Sequence, residues 1–254
     1  MDAKNFEVLF FDLGNTLMYF DTSPDVITER ANLALYRKLA GFGINVSEPE
    51  FLRTFLEFTM QSNHERNVTG TEQTTVQTVN KSLTYLGTHH YSEEQIKQAV
   101  EAYFSEYQEH WRLGDDTWTT LDALKKRGYR MGIISNASDR DDIRVLMKKG
   151  NLEPFFEHVI VSAEVGFRKP HSEIFREGLQ VFHTTPERCA MVGDTLSADI
   201  VGANQVGIAS IWINRWSDTV ENRLLRESIQ PYATISHLSE ILVSLKKGKK
   251  KAGG

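Results

Sequence analysis

Five short apolar runs constrain this chain most: Val8 to Phe11, Met131 to Ile134, His158 to Val161, Cys189 to Val192 and Ile208 to Ile213. None alternates strictly between apolar and polar residues, so each reads as a strand buried on both faces. Helical patterns separate the last four: Leu121 and Leu124 within 121–129, Ile143, Leu146 and Met147 within 139–150, and the stretch Ser172 to Phe182. Strand, helix and strand in that order build a parallel sheet from βαβ units. The expected class is α/β.

More than a hundred residues separate the first two strands, too many for one crossover, and they read as helix after helix. Ser23-Pro24 is an N-cap followed by proline at the first helical position, which opens a helix to about Leu39. Ser47-Glu48-Pro49-Glu50 has the pattern of a capping box and starts a second. A third is expected from about Gln73 to Leu86, and a capping box at Ser92-Glu93-Glu94-Gln95 begins a fourth that reaches about Trp111. Their inner faces would carry Leu33, Leu39, Phe51, Phe55, Leu83, Leu86, Val100 and Phe104. The division expected is a core of residues 1–17 and 116–245, a helical bundle over 18–115, and a basic disordered tail over 246–254. The polar stretch Ser62 to Thr71 is the expected mobile tip of the bundle.

At 254 residues the chain is long enough to bury a substantial core, and its composition narrows the remaining classes. Hydrophobic residues make up 40% and charged residues 25%, ordinary for a globular protein, and the net charge of −5 gives no support to nucleic-acid binding. No stretch approaches the ~20 apolar residues of a membrane helix, and no signal peptide is visible, so cytoplasm is the default expectation. Cys189 is the only cysteine, which rules out an internal disulfide and a thiolate zinc cluster; the Asn67-Val68-Thr69 sequon reads as chance.

The strand tips carry polar residues that packing does not require. The first ends in Asp12 with Thr16 just beyond, the second in Ser135-Asn136, and the fourth in Gly193-Asp194 followed by Asp199. The loop Gly166-Phe167-Arg168-Lys169-Pro170 presents a lysine before a helix. A lone strand-end aspartate is often a helix cap. Four such tips in one parallel sheet converge on a single edge, which is where open α/β sheets bind ligands.

These residues resemble the haloacid dehalogenase-like hydrolase superfamily, in the branch with a helical cap inserted after the first motif. The first motif is an apolar strand followed by Asp-x-Asp-x-Thr, matched by Asp12, Thr16 and an altered middle. Ile133-Ile134-Ser135-Asn136 matches the second, Lys169 the third, and Val192-Gly193-Asp194-Thr195-Leu196-Ser197-Ala198-Asp199 the fourth. The resemblance implies a three-layer Rossmann-like core with sheet order 5-4-1-2-3, which places Asp12 and Asp194 on adjacent strands. It also implies a magnesium-dependent phosphatase acting on a small phosphorylated metabolite, with no nucleic-acid or membrane partner.

Within that resemblance Asp12 is the nucleophile that forms an aspartyl-phosphate, splitting one difficult displacement into two. Asp12, the carbonyl of Gly14 and Asp194 would hold Mg²⁺, with Asp199 supporting the ion or orienting Lys169. Ser135, Asn136, Lys169 and Thr16 would bind phosphoryl oxygens or brace the nucleophile loop. The departure is Gly14, where family phosphatases usually carry a second aspartate whose acid–base help contributes about 10²–10⁴-fold. Three readings follow: a phosphatase using good leaving groups or a cap residue such as Tyr19 or Asp21, a 2-haloacid dehalogenase-like hydrolase, or a non-catalytic phospho-ligand-binding protein. Dehalogenases of the family also lack the second aspartate, yet they use no metal, and three acids retained without a cation would repel one another.

Other residues read as structural. His64, His89, His90, His110 and His171 have no carboxylate at ligand spacing; Trp111 and Trp118 suit hinge packing, Trp212 suits core or sheet edge, and Arg66 reads as a solvated charge that could reach a substrate anion.

Overall fold

The protein is described by a computed structural model covering residues 6–245; the expected tail over 246–254 lies outside the described residues. Six parallel strands form the main sheet: β1 (Val8–Phe11), β4 (Arg130–Ser135), β5 (His158–Val161), β6 (Cys189–Gly193), β7 (Ala209–Ile213) and β8 (Ala233–Ile235). Their order is β5-β4-β1-β6-β7-β8. The five expected strands keep their neighbours, and the order differs from 5-4-1-2-3 by a sixth strand at the edge beyond β7. At three residues β8 is too short to show in sequence as an apolar run.

The strands are buried on both faces, as their lack of alternation requires. Leu9 and Phe11 of β1 pack into one apolar cluster with Leu121, Leu124, Ile143, Leu146 and Met147. Val8 and Phe10 point the other way, into a second cluster with Ile174, Phe175 and Phe182. The helices covering the first face are α5 (Thr117–Lys126) and α6 (Arg140–Lys149), and a helix over Ser172–Val181 covers the second. Each β1 side chain therefore meets a helix, which is why a four-residue strand can sit at the centre of the sheet.

Between β1 and β4 the chain leaves the sheet through a two-stranded antiparallel ribbon, β2 (Met18–Phe20) with β3 (Trp111–Leu113). The ribbon encloses α1 (Pro24–Gly41), α2 (Glu48–Thr69), α3 (Thr75–Tyr85) and α4 (Glu93–Gln108). The Ser92 capping box with Gln95 forms as expected, but at Ser47 the side chain makes no cap bond, and a further box forms at Thr74 with Gln77. Trp111 belongs to the ribbon rather than to α4.

The expectation of a mobile loop over Ser62 to Thr71 is corrected: α2 runs through Thr69 and ends on Gly70 at φ 72°. Polar composition hid this turn because its inward contacts are themselves polar, with Ser62 Oγ donating to Gln73 at 2.7 Å and Gln73 Nε2 donating to Glu65 at 2.6 Å. The four helices share an apolar cluster of their own that includes Leu35, Leu39, Phe51, Phe55, Leu83 and Val100. Leu33 is only half-buried and stands outside it; Ile27, Ala31, Leu35 and Leu39 form the buried stripe of α1. Among the described residues no helix is long and apolar enough to cross a membrane.

The fully buried Leu83 joins α3 to this third cluster. Leu83→Ala is expected to cost about 2–5 kcal/mol, read as a lowered midpoint in urea unfolding.

Candidate active site at the strand tips

Parallel pairing brings the expected tips together. β1 lies between β4 and β6, so Asp12 and Asp194 follow, and Ser135 ends, adjacent strands, and the Asp12 amide donates to Val192 O at 2.9 Å. Carboxylate oxygens of Asp12, Asp194 and Asp199 come within 4.8 Å of one another, all three residues buried. Lys169 reaches into this cluster from its loop. Its Nζ lies 2.6 Å from Asp12 Oδ1, 2.7 Å from Asp199 Oδ1 and 2.7 Å from Ile134 O, donating hydrogen bonds to Asp12 and Ile134 and forming an ion pair with Asp199.

The loop that delivers Lys169 is clamped by Asn136. The Asn136 amide donates to Lys169 O at 2.9 Å and its Oδ1 accepts from Lys169 N at 2.7 Å. This side chain, expected to touch substrate, is thus engaged in fixing the lysine backbone. Asp199 is anchored through Oδ2, which accepts from Thr195 N at 2.9 Å. Its approach to β6 requires glycine at 193, where an added Cβ would stand 2.3 Å from Asp199 Cγ. Thr16 is fully buried, its Oγ1 has no hydrogen-bond partner among the described residues, and it does not line the cavity at Asp12.

The electrostatics of the cluster are those of an incomplete site. Three carboxylates face one ammonium, an excess of two negative charges in a buried place. Burial and the neighbouring Asp199 push Asp12 up to about 6 despite Lys169, and burial with Asp199 and Asp12 holds Asp194 well above the usual carboxylate range. Burial pulls the Lys169 ammonium down, but Asp12 and Asp199 outweigh it and raise its pKa. A hard divalent cation fits this donor set, since it would take carboxylate oxygens with few protein ligands and cancel the excess. Gly14 lines the same cavity beside Asp12.

Gly14 is more than a missing side chain. A Cβ there would lie 3.1 Å from Trp111 Cη2, so the β2–β3 ribbon has packed a ring against the position an aspartate would occupy. The suggested substitutes are elsewhere: Asp21 pairs with His110 at 3.0 Å and Arg112 at 2.7 Å, and Tyr19 stacks on Trp216 at 4.8 Å. Neither lines the cavity at Asp12. His64, His89 and His90 are exposed, and Trp212 donates from Nε1 to Asp194 O at 2.9 Å.

Two cavities meet at Asp12, one of about 690 Å³ reaching Asp194 and Asp199, the other of about 370 Å³ reaching Ser135, Trp111 and Asp142. Three residues here were not singled out from the sequence. Asp142, in the first turn of α6, accepts from Gln108 of α4 at 2.9 Å, and burial raises its carboxyl to about 7. Glu72 bridges insert and core: Oε1 accepts from Arg66 at 2.9 Å and Oε2 from Ser162 Oγ at 2.6 Å. Arg168 lines both cavities with Arg66. Only Arg168 had a signal, its position beside Lys169.

A family model described as haloacid dehalogenase-like hydrolase matches residues 10–213 of the chain. The chain is 30% identical over 243 residues to a glyceraldehyde 3-phosphate phosphatase of Methanothermobacter thermautotrophicus, covering 93% of this chain and 99% of that one. Among solved structures it is similar to a HAD phosphatase from Thermococcus onnurineus, with a TM-score of 0.62, 23% identity, and coverage of 95% of this chain and 99% of that one. It is similar also to a 2-haloacid dehalogenase from Pseudomonas syringae pv. Tomato DC3000, with a TM-score of 0.64, 22% identity, and coverage of 94% and 98%. At these identities the two structures speak to the fold alone.

Asp142 makes a pH test of this geometry. Its folded pKa of about 7 lies above the unfolded value near ~3.9, so the folded state holds the proton more tightly. That contribution is full below about pH 4 and is lost as pH rises to 7. Asp142→Asn keeps the acceptor for Gln108 and removes the charge. It is expected to be more stable than the native chain at pH 8 by on the order of 1 kcal/mol, with the gain absent near pH 4, as measured by urea unfolding.

Proposed function

This chain belongs to the haloacid dehalogenase-like hydrolases, and we propose that it is a magnesium-dependent phosphatase hydrolysing a small phosphorylated metabolite through an aspartyl-phosphate on Asp12. The observation that carries this reading is the buried cluster of Asp12, Asp194 and Asp199 around Lys169, which needs a cation to be complete. The phosphatase that it matches over nearly full length supports it. Helices α1 to α4, residues 18–115 with the ribbon, act as a cap over the site.

In this reading Asp12, Asp194 and the Gly14 carbonyl would hold Mg²⁺, and Asp199 would support the ion or orient Lys169. The ion, when bound, would supply positive charge that lets one anion approach another. Asp12 attacks phosphorus through a carboxylate oxygen, the bond from phosphorus to the leaving oxygen breaks, and the leaving oxygen takes a proton. Water then attacks the same phosphorus, releasing inorganic phosphate and restoring Asp12. Lys169 holds Asp12 Oδ1 and offsets charge as the phosphoryl group arrives. Ser135, at the end of β4 and lining the smaller cavity, binds a phosphoryl oxygen.

The proton comes from outside motif one. Among carboxyls lining the smaller cavity, Asp142 lies beyond the cation cluster and holds its proton near neutral pH, which suits a general acid. Dehalogenation is disfavoured at two points. The acid cluster would repel itself without a cation. The serine that begins the fourth motif of family dehalogenases has no room at Gly193, where a Cβ would collide with Asp199.

Hydrolysis of p-nitrophenyl phosphate is expected to require Mg²⁺, to stop with EDTA, and to fall to background in Asp12→Asn. Chloride release from a 2-haloacid without metal would replace this reading with the dehalogenase. Asp142→Asn is expected to slow alkyl phosphates by about 10²-fold or more while sparing p-nitrophenyl phosphate, whose leaving group needs no proton. Equal loss on both substrates would remove Asp142 from that role.

A further inference from the structure

Phosphoryl transfer as described leaves two cations of the cavity unused. Arg66, in the last turn of α2, and Arg168, beside Lys169, line both cavities that meet at Asp12. Arg66 gives Nη1 to Glu72 and Nη2 to Asn63, while its Nε is buried with no hydrogen-bond partner among the described residues. Arg168 is half-buried, and its guanidinium makes no hydrogen bond or ion pair with any described residue. Burial and the nearby Arg66 pull its pKa down, against the attraction of Glu72.

Two guanidiniums and one carboxylate leave a positive excess at a half-buried place. Holding like charges together away from water is costly unless an anion completes the group. Glu72, the carboxylate that Arg66 holds, is tied to Ser162, whereas Lys169 is tied to Asp12 and Asp199, so the arginines and the lysine belong to different contact groups within these cavities. In-line attack fixes which part of a substrate would meet it. The leaving group points away from Asp12, and α2 belongs to the cap.

We propose that Arg66 and Arg168 form a second anion subsite, and that the substrate is a small phosphomonoester whose organic part carries a carboxylate or a second phosphate. The proposal rests on the phosphatase reading above and names its substrate class. Planar guanidiniums offer paired donors that match either group. Glu72 orients Arg66, because its other oxygen is fixed by Ser162 of the core. A cavity of about 370 Å³ suits a molecule of a few carbons.

The test compares 3-phosphoglycerate, glycerol 1,3-bisphosphate and glycerol 3-phosphate, which share a carbon skeleton and differ at the remote end. The native enzyme is expected to prefer one or both acidic substrates in kcat/KM by at least about tenfold, the size of one charge-assisted hydrogen bond; which of the two leads identifies the anion. Arg66→Gln and Arg168→Gln should each cut that preference by about tenfold, mainly through KM, and Arg168→Lys should restore part of it. Absence of preference in the native enzyme, or equal loss on acidic and neutral substrates in both variants, would overturn the subsite. Failure to hydrolyse even p-nitrophenyl phosphate would strike the phosphatase reading instead. In that case calorimetric binding of 3-phosphoglycerate still decides the subsite: weakening in both glutamine variants supports it, and unchanged binding overturns it.

Discussion

The ammonium of Lys169 is the charge on which the site depends. It lies between Asp12 and Asp199 and donates also to the last carbonyl but one of β4, so one buried cation ties the central strand, its neighbour and the turn after β6. Removing one partner of such a buried pair typically costs about 3–5 kcal/mol, because the remaining charge stays in the interior. Here three carboxylates would remain. The parallel sheet makes the arrangement possible by ending β1, β4 and β6 at one edge, and Asn136 makes it exact in position by clamping the backbone of Lys169 on both sides.

How much of this could be read in sequence follows the kind of force involved. The central strands were legible because burial on both faces removes alternation, and α4 because Ser92 and Gln95 satisfy each other's backbone. The three-residue strands β2, β3 and β8 were not, since so short a segment carries no period. The last turn of α2 was hidden because its inward contacts are polar. In the site, Asp12, Lys169, Asp194 and Asp199 could be named because each sits at a fixed place relative to a strand end. Glu72, Asp142 and Arg168 could not be assigned roles, because their surroundings come from the docking of the insert, which no local pattern encodes.

Gly14 shows why a single missing residue should be read with its neighbours. In sequence it is the loss of a proton donor. In three dimensions Trp111 abuts the space beside it, so the ribbon and the glycine are one arrangement, and restoring aspartate at 14 would press against the indole. Asp142 then carries opposite consequences for stability and chemistry. Burial that keeps its carboxyl near neutrality weakens the fold above that range and supplies a proton below it, a trade-off common where a buried acid serves a site.

Main-chain bonds join the insert to the core beside the side-chain bridges of Glu72 and Asp142. Arg168 N donates to Gly70 O at 2.9 Å, Glu72 N to Gly166 O at 2.8 Å, and Thr75 N to Ser138 O at 3.1 Å. Backbone bonds of this kind tolerate changes of side chain. The exception is Gly70, whose φ of 72° and whose close approach to His171, 3.2 Å from an added Cβ to Cδ2, both demand glycine. With part of the seam set by peptide groups, a change at Arg66 or Asp142 removes a side-chain bridge and leaves these backbone bonds in place. An insert joined this way can change the side chains it presents at the cavity while Asp12, Lys169 and the acid cluster stay as they are.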